Sequence, residues 1–243
     1  MNLVARAVKS SGIGPAIGAA TRCVVAVVLT AVMCATMAAD PSQYSEAERQ
    51  LFVRAHLAGM APPARLHYRY ERTGTLEPDS ADRATLTLSG QPGALTAAVD
   101  YLSDERKLEL PAISPVEGNP IILYFLEREV RELKRLTGGA PGFYRNRIRK
   151  ALAGDAKVHE TEVSLDGRLL KGIEIRIDPY VDDPARPRFE KFAERYYVMV
   201  LSPNIPGEVY QLKAELPGPA AGGSGRSILH REILTFERQD SGK

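Results

Sequence analysis

Apolar and polar residues alternate with a period of two through several short stretches and with a helical period through three longer ones. In "RLHYRYERT", residues 65–73, Leu66, Tyr68 and Tyr70 fall on one side, with Arg65, His67, Arg69 and Glu71 on the other. Ala84, Leu86 and Leu88 alternate with Thr85 and Thr87, and Leu95, Ala97, Val99 and Tyr101 repeat the pattern. Residues 106–114 give a short fourth candidate that Pro111 ends. Gly74, Pro78-Asp79 and Gly90–Gly93 supply turns, and such short connections leave room only for antiparallel pairing. Alternation resumes after residue 156. Two strands flank Asp166-Gly167, a two-residue hairpin signal, and Ile173, Ile175 and Ile177 share one face. Further strands are predicted around 196–201, 209–216 and 228–238, and "PGPAAGGSGRS", 217–227, reads as a flexible loop.

The helical segments are delimited by their own signals. Ser45 and Glu48 have capping-box spacing, Leu51, Phe52, Ala55 and Ala58 make a stripe, and Gly59 with Pro62-Pro63 closes an N-terminal helix. In the mid-chain insert, 118–154, Asn119 is a favoured cap, Pro120 a favoured first residue, and Gly138-Gly139 a stop. Ile122, Leu126, Val130, Leu133 and Leu136 run along this helix, while Ile121, Leu123, Tyr124 and Phe125 make its first turns apolar on other faces too. Its second half is charged, with Glu127–Arg131 and Arg128–Glu132 four residues apart. A second helix carries Tyr144, Ile148, Ala151 and Leu152 on one side. The sum is an α+β fold. It has one antiparallel, curved sheet of eight or nine strands, the helical insert packed on one face, and an N-terminal helix. Strands from both sides of the insert are expected to complete the same sheet, because either group alone is marginal.

Charge changes the picture at the N-terminus. Residues 1–39 hold Arg6, Lys9 and Arg22 and no acid; the remaining 29 basic and 30 acidic residues nearly cancel. A basic start, the apolar "VVAVVLTAVM" at 24–33 and small residues before Asp40 predict a secretory signal peptide over 1–39, cleaved near Ala38. The alternative is an uncleaved anchor, since the run from Cys23 to Ala39 reaches the lower end of spanning length. Residues 40–243 are then a single periplasmic domain. Both cysteines, Cys23 and Cys34, lie in the leader, so the exported chain has no disulfide and no thiolate chemistry. The near-neutral body gives no footprint for nucleic acid.

Catalytic motifs are sparse. His56, His67, His159 and His230 form no close ligand pair, and Asp178, Asp182 and Asp183 lack the alternate-position spacing of a calcium loop. Ser224 in "GGSGR" has Arg226 where a nucleophile elbow needs glycine. No metal and no cofactor is expected, and an enzyme is less favoured than a binding protein. Eight basic residues stand between Arg128 and Lys150. Of these, Arg131, Arg145, Arg147, Arg149 and Lys150 are the candidates for contact with an anionic membrane surface. The over-apolar helix start points to an apolar ligand, a lipid or acyl chain, held between sheet and insert by Ile122, Tyr124, Phe125, Leu126, Tyr144 and Ile148. A curved antiparallel sheet with helices in its concavity resembles, in architecture and not in motif, the lipoprotein-carrier proteins of bacterial periplasms. The alternatives are an assembly partner of an envelope complex and a hydrolase with a dispersed site.

Overall fold

Strand β1 (Ala64–Thr73) decides the architecture, because it pairs antiparallel with β2 (Ser80–Gln91) on one side and with the last strand, β8 (Arg226–Ser241), on the other. The computed structural model describes residues 43–220 and 226–241, so the expected signal peptide, both cysteines and Ser224 lie outside the described residues. Strands β3 (Ala94–Tyr101), β4 (Lys157–Leu165), β5 (Arg168–Ile177), β6 (Tyr196–Leu201) and β7 (Val209–Ala220) complete one open, curved antiparallel sheet. Its order is β3-β2-β1-β8-β7-β6-β5-β4. The N-terminal and C-terminal strand groups thus share hydrogen-bonded edges through β8, as the marginal stability of either fragment requires.

The alternation in the sequence is realised: Leu66, Tyr68, Tyr70, Leu86 and Leu88 are fully buried on the inner face. Asp166 and Gly167 both take positive φ, and Leu165 faces Arg168 across them, the two-residue hairpin turn that glycine makes inexpensive. Three expectations are corrected. Residues 106–114 form no strand; they bridge to β3 through the backbone at Tyr101–Leu108 and Ala97–Ile113 without a continuous ladder, because Pro111 lacks a ladder donor. Residues 217–220 and 226–227, expected in a flexible loop, are the paired ends of the β7–β8 hairpin. The N-terminal helix is short. Helix α1 (Glu46–Glu48), with its capping box, passes into a π turn over Arg49–Val53 and stops. The His56 ring bonds the Gln50 carbonyl (2.8 Å), giving that helix end a side-chain partner in place of a further turn.

Helices α2 (Ile121–Thr137) and α3 (Pro141–Gly154) lie on the inner face. Asn119 joins α2 to the sheet. Its Oδ1 accepts from the Ile121 N–H (3.1 Å), its Nδ2 donates to the Tyr68 hydroxyl (3.0 Å) and the Gly207 carbonyl (2.8 Å), and its backbone N–H donates to His56 Nδ1 (3.1 Å). Gly138, at φ 72°, ends α2 in the left-handed conformation. Tyr144 of α3, Tyr180 and Tyr197 of β6 stack edge to face across this end of the core. Replacing Asn119 by Ala removes the cap and leaves the Gly207 carbonyl without this donor, at an expected cost of roughly 2–3 kcal/mol. Equilibrium denaturation is the check; an unchanged midpoint contradicts this role for Asn119.

Candidate functional site

The charged half of α2 does not sit at a solvent rim. Glu129, Glu132 and Arg128 are buried, Glu129 completely, and they meet Arg195, His230 and Glu232 from the sheet side. Arg195, at the entry to β6, donates from Nε and Nη2 to Glu129 Oε2 (2.9 and 2.6 Å) and from Nη1 to His230 Nδ1 (3.0 Å). Arg128 donates to Glu132 Oε2 (2.7 Å), the i,i+4 pair legible in the sequence, and lies 3.6 Å from Glu232 Oε1. A network of this kind is costly to desolvate, so its members must neutralise one another. Burial raises the Glu129 carboxyl well above its ordinary 4.5, with Arg195 opposing and the Glu232 charge adding. Glu232 is also pushed up by burial, but the neighbouring Glu129 carboxyl and the charges of Arg128 and Arg195 outweigh this and bring it down to about 2. Of the two carboxyls, Glu129 is thus the one that burial biases toward its protonated form, and Glu232 the one that the arginines hold ionised.

His230 brings Nε2 within 3.4 Å of Glu77, 3.7 Å of Glu232 and 3.9 Å of Glu132. Glu77, Glu132 and His230 offer ligand-type atoms within 4.8 Å of one another, a grouping that spacing in the sequence does not reveal. The donor set does not suit a metal. Arg195 occupies His230 Nδ1 as a donor, and burial with the Arg195 charge pushes the ring's pKa down, so the neutral ring carries its proton on Nε2. Glu77 and Glu132 are held by Arg135 at 2.6 and 2.5 Å, and Glu132 also by Arg128. A divalent ion would have to displace these guanidinium groups. The other histidines are hydrogen-bonded or exposed: His67 lies between Asp240 (2.8 Å) and Thr85 (3.3 Å), and His159 pairs across strands with Glu174 (3.5 Å).

The interface between α2 and the sheet is occupied by the protein's own side chains. Ile122, Tyr124, Phe125 and Tyr144, expected to line a ligand site there, are all at most 3% exposed. Tyr124 donates to the Leu110 carbonyl (3.0 Å), and the Tyr144 hydroxyl meets Thr137 (2.5 Å). Leu126 and Ile148 contribute instead to a groove of about 490 Å³ between α1, α2 and α3. Its other apolar walls are Phe52, Leu110, Leu123, Val130 and Leu152. Leu123 is 47% exposed, Phe52 43% and Leu110 37%, three of the few large apolar side chains left open among the described residues. Sequence reasoning missed Phe52, Leu110 and Leu123 as site residues. The off-stripe position of Leu123 was the available signal.

The basic residues separate. Arg145 and Arg149 stand at the groove, with Arg145 paired to Glu127 (2.9 Å). Arg131 is 3.8 Å from Glu127 on the far side of the same helix turn. Arg147 is neutralised by the buried Asp183 carboxylate and stacks on Phe143 (4.7 Å), while Lys150 faces a polar depression beside Asp155 and Asp178. Among the described residues no helix is long and apolar enough to cross a membrane.

No family model matches this chain, and no curated protein does. Among solved structures, the Mycobacterium tuberculosis lipoprotein LppX is similar over 76% of this chain and 91% of its own, at 12% identity and a TM-score of 0.32. A LolA superfamily protein of Nitrosomonas europaea is similar over 77% of this chain and 91% of its own, at 10% identity and a TM-score of 0.21. At these scores neither likeness bears on function, which rests on the site itself.

Two substitutions test the network. In Glu129→Gln the amide can accept from Arg195 as the protonated acid does, so stability below pH 4.5 should stay within about 1 kcal/mol of wild type. Arg195→Leu strands a buried carboxyl and should cost roughly 3–5 kcal/mol. Because the folded pKa of Glu129 is raised, the folded state keeps a proton that the unfolded chain loses above pH 4.5, so this group costs stability as pH rises from there. Thermal melts at stepped pH should show Glu129→Gln gaining on wild type above pH 4.5; a constant gap means that Glu129 is ionised. The lowered Glu232 acts in the opposite sense, its contribution complete above pH 4.5 and lost as pH falls toward about 2.

Proposed function

We propose that this protein binds an apolar ligand, a lipid or acyl chain, in the groove between α1, α2 and α3, and that it works in the cell envelope as a binding protein and not as a catalyst. The observation that carries the reading is the exposure of Phe52, Leu110 and Leu123 around one concave site whose remaining walls are Leu126, Val130, Ile148 and Leu152. The site has the size and lining of a small-ligand pocket. Arg145 and Arg149 at its edge complement an anionic headgroup or membrane surface, which supports peripheral contact with a bilayer during loading or release. The leader pattern of residues 1–39 supports export.

The ligand's place is thus outside the helical pair, not between insert and sheet as the sequence pattern implied. The interior is already filled, and Arg195–Glu129 ties α2 to the sheet at 2.6 Å. The same exposed side chains could be covered by an apolar segment of an envelope partner. That second reading is separated by the chain-length dependence below, because a protein-docking surface has no reason to prefer longer acyl chains.

Each methylene buried contributes about 0.8 kcal/mol, so affinity should rise about fourfold per added carbon until the groove is full. Calorimetric titration of the purified protein with an alkyl series checks this, and native mass spectrometry of detergent-free protein shows whether a ligand is carried through purification. Leu123→Glu should weaken binding by about tenfold or more while leaving the melting temperature near wild type, since Leu123 is half exposed. Affinity that ignores chain length, or a Leu123→Glu variant that binds unchanged, contradicts the proposal.

A further inference from the structure

A second cavity adjoins the groove, and its chemistry differs. It measures about 290 Å³ and is walled by six cationic side chains, Arg72, Arg106, Lys107, Arg128, Arg131 and Arg135, against three carboxylates, Glu77, Glu105 and Glu132. Three elements converge there: the end of β1, the turn after β3, and the second half of α2. Two of the acids are already committed. Glu77 receives Arg72 (3.3 Å) and Arg135 (2.6 Å), and Glu132 receives Arg128 (2.7 Å) and Arg135 (2.5 Å). Arg106 is held by Ser80 (2.7 Å) and Asp82 (3.2 Å).

Donor capacity is left over. The Nε groups of Arg72 and Arg128 are buried and have no hydrogen-bond partner, and the Arg128 side chain is only 8% exposed. These two N–H groups are closed off from the cavity, so an anion there would be held by the guanidinium edges and the Lys107 ammonium that line it. Arg131 and Lys107 stand at the mouth, about half exposed. Arg131 is held only loosely by Glu127 (3.8 Å), whereas Lys107 pairs with the still more exposed Glu109 (2.8 Å). Both pairs are solvent-exposed, so an arriving anion can compete for either cation.

The cavity and the groove share no lining residue but border the same two segments. On α2, Glu127 lines the groove and its partner Arg131 lines the cavity. On the segment after β3, Leu110 lines the groove and Leu108 the cavity. A molecule lying along the groove toward Glu127 therefore meets the cationic cavity at its end.

We infer that this cavity seats the phosphate-class headgroup of the amphiphile whose apolar chain occupies the groove. The inference deepens the proposed function and rests on that reading of the groove. Arginine forks suit a tetrahedral oxyanion better than a single point charge does, and a seat of this kind fixes which way round the ligand lies.

The test compares dodecyl phosphate with dodecyl maltoside, which have the same chain and charged or uncharged heads. Calorimetric titration is done below micelle-forming concentrations and at low ionic strength. Wild type is expected to bind the phosphate at least about tenfold more tightly than the maltoside. In a Lys107→Ala/Arg131→Ala variant the gap should shrink to within about threefold with the melting temperature unchanged, since both side chains are exposed. Equal affinities in wild type, or a gap that survives in the variant, overturn the headgroup assignment while the groove reading stands. Inorganic phosphate should compete only weakly; if it alone binds as tightly as dodecyl phosphate, the cavity is a free-anion site and the assignment fails. If neither amphiphile binds, the groove reading itself fails and this inference falls with it.

Discussion

The crossing of Arg195 and Glu129 fixes where everything else in this molecule can be. One guanidinium, fully buried, reaches from the entry of β6 to the middle of α2 and at the same time to His230 on β8. Such a contact is poor evidence of net stability, because desolvating its members costs nearly as much as their attraction returns. Its consequence is positional. Helix α2 can rotate or slide only by stranding a buried charge, so its register on the sheet is specified more sharply than a leucine interface would specify it. The opposite pKa shifts of Glu129 and Glu232 follow from the same constraint, since the buried arginines can balance only part of the acid brought against them.

That fixed register turns the open apolar side chains outward. With Ile122, Phe125 and Glu129 turned to the sheet, Leu123 and Glu127 must face the other way, toward α3 and the N-terminal turn. The cost is an apolar strip left partly open to water. On the neighbouring face of α2 lies a cationic cavity, which gives one helix two surfaces of opposite character, one greasy and one basic. An amphiphile has the same division along its length.

Local signals carried most of the fold. The cap at Asn119, the stop at Gly138, the Asp166-Gly167 hairpin and the inward row Leu66, Tyr68, Tyr70 all depend on residues near one another in the chain, and all are realised. The buried network was harder to read, because Glu129 finds Arg195 sixty-six residues away and nothing local announces the pairing. A trace was present. Glu129 falls seven residues after Ile122, on the very stripe assigned to the core, and an acid in that position demands a buried partner. Tyr144 lies on an inward apolar stripe, where it meets Tyr180 edge to face. The groove was only half legible, since Leu126 and Ile148 belong to predicted stripes whereas Phe52, Leu110 and Leu123 are brought together by tertiary structure alone.

The sharpest check on a ligand site outside the helices and a closed interface beneath them is a methyl-resolved NMR titration with dodecyl phosphate. Resonances of Leu110, Leu123, Leu126, Val130 and Leu152 should shift, while those of Leu66, Leu86 and Leu212 on the inner sheet face stay in place. Shifts concentrated on the inner-face methyls, with α2 lifting from Arg195, would contradict it.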